Sequence, residues 1–211
     1  MKKLICVILS LMMMVGLCAC ESEADLLLKV NGSWSVKMEE TQETYDNLME
    51  SIELYEAELA AIDTTLYTVK TATFNADKTY VLEEKAEDVQ ECLREFFQGA
   101  FADLYEKRET LKDCYEQDIS ILSEEEFYQF YANLYSKEDF DALIEHFATK
   151  LYNYDNFEPI DEGTYTISST RITLQSDDAF NSDDGYVTYS VDGDTLTLTW
   201  SNDVEVYTKV K

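Results

Sequence analysis

Between residues 163 and 211 the chain falls into five short segments in which apolar and polar side chains alternate, separated by turn chemistry such as Asp192-Gly193-Asp194. A period of two marks a strand with one face in a core and the other in water. The five segments are 163–168, 171–175, 186–191, 195–200 and 204–210. Three more lie upstream: 34–38 behind the turn-forming Asn31-Gly32, and a hairpin of 66–74 and 79–83 joined through Asn75-Ala-Asp-Lys78. Alternation turns Tyr165, Tyr189 and Trp200 inward, and on the last strand Val204 and Val206. Eight antiparallel strands joined mostly by tight hairpins are the number that closes into a small up-and-down barrel, which leaves no strand edge open.

The period changes twice. Across 39–63, Tyr45, Leu48, Met49, Ile52, Tyr55, Leu59 and Ile62 recur at helical spacing, with acids including Glu40 and Glu58 on the remaining surface. Residues 85–161 are helical in at least three pieces. The apolar spacing from Val89 to Tyr115 reads as one continuous helix, Ser123 with Glu126 as a capping box, and Ser136 with Asp139 as a weaker helix start. The expected fold is therefore α+β: an eight-stranded antiparallel up-and-down β-barrel with a helical cap, inserted between strands one and two (39–63) and between strands three and four (85–161). In such a barrel successive connections alternate ends, so both insertions are expected at the same rim.

Charge excludes one class of function. With 44 acids against 16 bases, a formal −28 over 211 residues, the chain repels a nucleic-acid backbone and offers no basic stripe. Two stretches hold most of the excess: 39–63 carry nine acids and no base, and 86–161 carry twenty acids and six bases. A single histidine, His146, excludes any catalytic or metal constellation that needs two imidazoles. It sits beside the apolar stripe of 140–151 and reads as a boundary residue. No Gly-x-Ser-x-Gly, phosphate loop or Cys-x-x-Cys occurs after residue 20. Asp177, Asp178, Asp183 and Asp184 do not follow the spacing of a calcium loop and read as a solvated connection. No catalytic residue, metal or cofactor is expected, and the chain is not expected to be an enzyme.

Lys2 and Lys3 precede an uncharged apolar stretch over 4–17, long enough for a signal-peptide core and short of the roughly 20 residues a membrane span needs. The stretch ends in Leu17-Cys18-Ala19-Cys20, which resembles the lipobox of bacterial lipoproteins. That resemblance implies cleavage between Ala19 and Cys20 and lipidation of Cys20. It also implies anchorage on the outer face of the cytoplasmic membrane, within the bacterial cell envelope. The expected organisation is a signal peptide over 1–19, a lipidated tether over 20–31 and one domain over 32–211. Residues 1–19 carry two lysines and no acid, so the processed chain holds 44 acids and 14 bases, a formal −30. Cys92 and Cys114 are then the remaining thiols. One continuous helix would hold them about 33 Å apart, so two buried free thiols are favoured over a disulfide.

Gly32-Ser33-Trp34 at the entrance of the first strand resembles the Gly-x-Trp signature of lipocalins and the wider calycin group. The hairpins around residues 75–80 and 191–196 look like those of bacterial lipocalin-like lipoproteins. The resemblance covers roughly 32–84 and 162–211. It implies a barrel binding a small, partly apolar ligand; Tyr165, Tyr189 and Trp200, inward by alternation and polar at their tips, are the candidate pocket lining, and the alternative is a barrel filled by its own side chains. Lipocalins usually hold an arginine over that tryptophan near the last strand; here the nearest cations are Lys209 and Lys211. The alternative expectation is an interaction module whose acidic helical cap docks a cationic protein partner.

Overall fold

The computed structural model describes residues 21–52, 54–150, 159–175, 186–200 and 203–211. Eight antiparallel strands close into a barrel: β1 Gly32–Glu39, β2 Tyr67–Phe74, β3 Thr79–Glu84, β4 Asp161–Ile167, β5 Arg171–Gln175, β6 Tyr186–Asp192, β7 Thr195–Thr199 and β8 Val204–Lys209. Their order round the barrel is their order in the chain, and β8 pairs back onto β1 through Trp34 with Lys209. The turns follow from local chemistry. Lys78 takes a left-handed φ of 68° while the Asp77 carboxylate accepts from the Thr79 backbone, and Gly193 supplies a φ of 58° between β6 and β7.

Seven helices are present among the described residues: α1 Glu23–Val30, α2 Gln42–Glu50, α3 Glu56–Leu59, α4 Ala86–Glu106, α5 Arg108–Leu111, α6 Glu124–Leu134 and α7 Phe140–Lys150. None is long and apolar enough to cross a membrane. In element order α2 and α3 fall between β1 and β2, and α4 to α7 between β3 and β4. The chain divides into two compact units. The barrel unit runs up to Val36 and includes Thr71–Glu83 and Pro159–Lys211; the helical unit is Lys37–Lys70 with Glu84–Glu158.

The barrel unit is packed from within. Trp34, Phe74, Tyr80, Tyr165 and Tyr207 are all at most 1% exposed, with Ile172, Val187, Leu196 and Leu198 between them. The rings of Phe74 and Tyr165 meet edge to face with centroids 5.3 Å apart. On β8 the alternation runs opposite to expectation: Val204 and Val206 are exposed while Glu205 and Tyr207 are buried. Pairing Leu196 with Tyr207 and Leu198 with Glu205 sets that phase, and it buries a large ring in place of a valine. The Glu205 carboxylate is supported inside by the Tyr207 hydroxyl and the Trp200 indole N–H, each donating at 2.8 Å.

The segment read as a tether is largely helix. Ser22 caps α1 with a reciprocal bond to Asp25, Leu26 and Val30 are buried, and Val30 joins the barrel core.

The helical unit has its own core around Leu93, Phe96, Phe97, Phe101, Leu104 and Phe127. Two expected helices prove shorter. Residues 39–63 break into α2 and α3, and the run from Val89 ends at Glu106, leaving Cys114 beyond α5. The helix start read at Ser123 is a capping box, as its sequence implies. Ser136 instead has a φ of 56° and closes α6, and Asp139 caps the next helix by accepting from the Ala142 N–H at 2.8 Å. Glu58, expected on the solvated face, is fully buried. Its Oε1 accepts from the hydroxyls of Tyr115, at 2.5 Å, and Tyr131, and its Oε2 accepts from the Tyr55 N–H at 2.8 Å.

Candidate functional site

A cleft of about 270 Å³ opens in the helical unit where the chain leaves β1. Its floor is aliphatic, made by Leu48 of α2, Leu66 before β2, and Val89 and Leu93 of α4. Glu40, Thr44, Asn47 and Ser51 form the polar wall, and Tyr67 stands at the rim. The wall follows from helical geometry, because residues 44, 47 and 51 share one face and 48 lies beside them. Thr41 caps α2, and the Glu40 N–H donates to the Leu66 carbonyl at 2.9 Å, fixing the chain on both sides of the opening.

A second hollow of about 260 Å³ shares Glu40 and Leu66 with the first and is lined also by Glu39, Tyr45 and Asp63. Neither lining contains a lysine, arginine or histidine. The nearby Lys37 ammonium lies 5.2 Å from the Tyr67 ring centroid and bonds Glu95 at 2.5 Å, which raises its pKa. Glu84 is half-buried. Burial first, and then the charge of Glu40, push its carboxyl above the usual carboxylate range, with Lys70 and Thr68 opposing.

The residues singled out in the sequence lie elsewhere. Tyr165 is buried in the barrel and its hydroxyl donates to the Asn75 carbonyl at 3.0 Å. Tyr189 and Trp200 are half-buried against the same core, their polar tips donating to the Ser168 carbonyl at 3.0 Å and the Glu205 carboxylate at 2.8 Å. None of the three lines the cleft. Gly32 has a φ of 123°, and an added Cβ would sit 3.4 Å from Lys209 Cε. The Trp34 indole donates to the Val30 carbonyl at 2.7 Å, and the Lys209 ammonium lies 4.9 Å from its ring centroid. Ala19, Cys20 and the aspartates of 177–184 lie outside the described residues. His146 is half-buried beside Phe147.

Nucleophilic chemistry is not favoured by the thiols. Cys92 is buried, Cys114 half-buried, both are free, and burial raises both above the usual thiol range. No cluster of three or more metal-ligating side chains occurs among the described residues. No local pattern signals the cleft: Glu40 reads as one acid of a solvated helix face, and Thr44, Asn47 and Ser51 carry no motif.

The chain matches no protein-family model, no curated protein and no solved structure.

Proposed function

We propose that this protein is an exported, lipid-anchored binding module in which a lipocalin-like barrel serves as a packed scaffold and the helical unit holds a small, partly apolar ligand. The observation that carries the reading is the cleft: about 270 Å³ with an aliphatic floor and one polar wall, the composition of a small-molecule site near the lower end of the usual size range. The barrel interior is occupied by its own aromatic side chains, which favours the helical unit as the binding element. Support for the lipocalin-like assignment comes from Gly32 and Trp34 at the entrance of β1, with Lys209 over the indole where the family usually has arginine. Support for the anchor comes from Lys2, Lys3, the apolar stretch and Cys20.

The test is native mass spectrometry of the full chain purified from its own host, beside Val89→Trp, which fills the cleft. A small molecule retained by the unaltered protein and lost from the folded variant is the expected result. A ligand held equally by both overturns the cleft as its site. A second reading, docking of a cationic protein, draws on the excess of 23 negative charges across 39–63 and 86–161. Co-purification of a basic protein without any small molecule favours it.

A further inference from the structure

We infer that the ligand of this cleft is a cationic amphiphile, an amine whose apolar portion lies on Leu48, Leu66, Val89 and Leu93 and whose ammonium meets Glu40. The inference rests on the binding reading above and adds the chemical class.

Three observations lead to it. The two hollows share Glu40 and Leu66 in their linings but differ in character: the first is floored by aliphatic side chains, and the second is lined also by Glu39 and Asp63. A molecule that lies on the aliphatic floor and reaches Glu40 needs an apolar part and a part compatible with a carboxylate. Next, no cationic side chain belongs to either lining. An anionic ligand would leave water for a site whose lining holds a glutamate and no cation. A neutral one would leave Glu40 without a charged partner. Last, the half-buried Glu84 carboxyl is raised by burial first and by the negative charge of Glu40 second, with Lys70 and Thr68 opposing, so a cation against Glu40 would offset part of a local excess of negative charge. An organic ammonium suits the geometry better than a metal ion, because no cluster of three ligating side chains converges among the described residues.

Three probes of matched shape decide the class: 3-phenylpropylamine, 3-phenylpropanol and 3-phenylpropanoate, titrated calorimetrically into the full chain and into Glu40→Gln. The amine should bind about tenfold or more tightly than the alcohol, the gain expected of a charge-assisted hydrogen bond, and the carboxylate should bind weakest. Added salt should narrow that gap. Glu40→Gln should bring the amine down to the affinity of the alcohol and leave the alcohol unchanged, with circular dichroism showing the variant folded. Alcohol or carboxylate binding as tightly as the amine overturns the cationic class while leaving the binding reading intact, as does an amine preference that survives Glu40→Gln. Absence of binding by all three probes overturns both.

Discussion

The Lys209 ammonium lies over the indole of Trp34, 4.9 Å from the ring centroid, and the same two residues are cross-strand partners where β8 closes onto β1. The lysine stem also fills the space beside Gly32, whose φ of 123° few other residues adopt. Lys209→Ala should therefore lower stability by about 0.5–2 kcal/mol, and Lys209→Arg should restore most of it. Gly32→Ala should cost about 1–3 kcal/mol through backbone strain. Urea denaturation followed by the fluorescence of the two tryptophans measures each value. A Lys209→Ala protein as stable as the parent would remove the stacking from the account of barrel closure.

Glu58 ties α3 to α6 through the hydroxyl of Tyr131 and to the segment after α5 through that of Tyr115. Removing the carboxylate leaves the buried Tyr131 hydroxyl and the half-buried Tyr115 hydroxyl without their acceptor. Glu58→Ala should cost about 3–5 kcal/mol, and Glu58→Gln, which keeps an acceptor oxygen, clearly less. Equal losses in the two variants, read as shifts in the urea midpoint, would show that a neutral acceptor of the same size does not replace the carboxylate.

Burial, reinforced by Glu58 for Tyr131 and Tyr115 and by Glu205 for Tyr207, raises these three phenols well above the usual tyrosine range. Their folded-state pKa exceeds the unfolded value, so the stability they contribute is complete below about pH 10 and is lost as pH rises past it, when the unfolded chain ionises first. Each such phenol should steepen the decline by about 1.4 kcal/mol per pH unit. Absorbance at the phenolate wavelength should show these three titrating only as the protein unfolds. Full ionisation of all fifteen tyrosines in the folded state would contradict this.

Gly99 lets α4 approach the loop before β2. An added Cβ would lie 2.7 Å from Thr64 Cγ2 and Oγ1, and the Thr64 hydroxyl is itself fixed by Asp103 Oδ2 at 2.7 Å. The better helix propensity of alanine is worth about 1 kcal/mol. The clash should outweigh it, so Gly99→Ala should be destabilising by about 1–2 kcal/mol, whereas Gly99→Ala combined with Thr64→Ser should recover part of the loss. Differential scanning calorimetry of the single and double variants separates these outcomes.

Cys92 and Cys114 should react slowly with a disulfide reagent at neutral pH, Cys114 the faster because it is less buried. Both should react at one common rate in urea. Rapid native labelling of Cys92 would contradict its place in the helical core.

Much of the architecture is present in local chemistry. Alternation located all eight strands within a residue or two, because a one-residue shift on a half-buried strand turns a whole face outward. Ser123 and Glu126 marked a helix start because both halves of a capping box lie within four residues. The failures have a different origin. Val204 and Val206 satisfy the same alternation as Glu205 and Tyr207, and only pairing with Leu196 and Leu198 selects between them. Ser136 and Asp139 both suit a helix start, and the choice depended on where α6 stopped. Tyr165, Tyr189 and Trp200 were legible as inward-facing. That their polar tips are taken up by Asn75, Ser168 and Glu205 was not, because those partners come from other strands and turns.

By itself the sequence determined the alternation that makes strands, the periodicity and caps that make helices, and the concentration of negative charge in the two helical stretches. Each depends on residues a few positions apart. Tertiary structure alone decided which carboxylates are buried and where the chain leaves a cleft. Glu58 meets Tyr131 across 73 positions, and Glu40 faces a floor supplied by Val89 and Leu93 of a later helix. Burial, hydrogen-bond satisfaction and concavity belong to side chains brought together from distant points, and no local pattern carries that information.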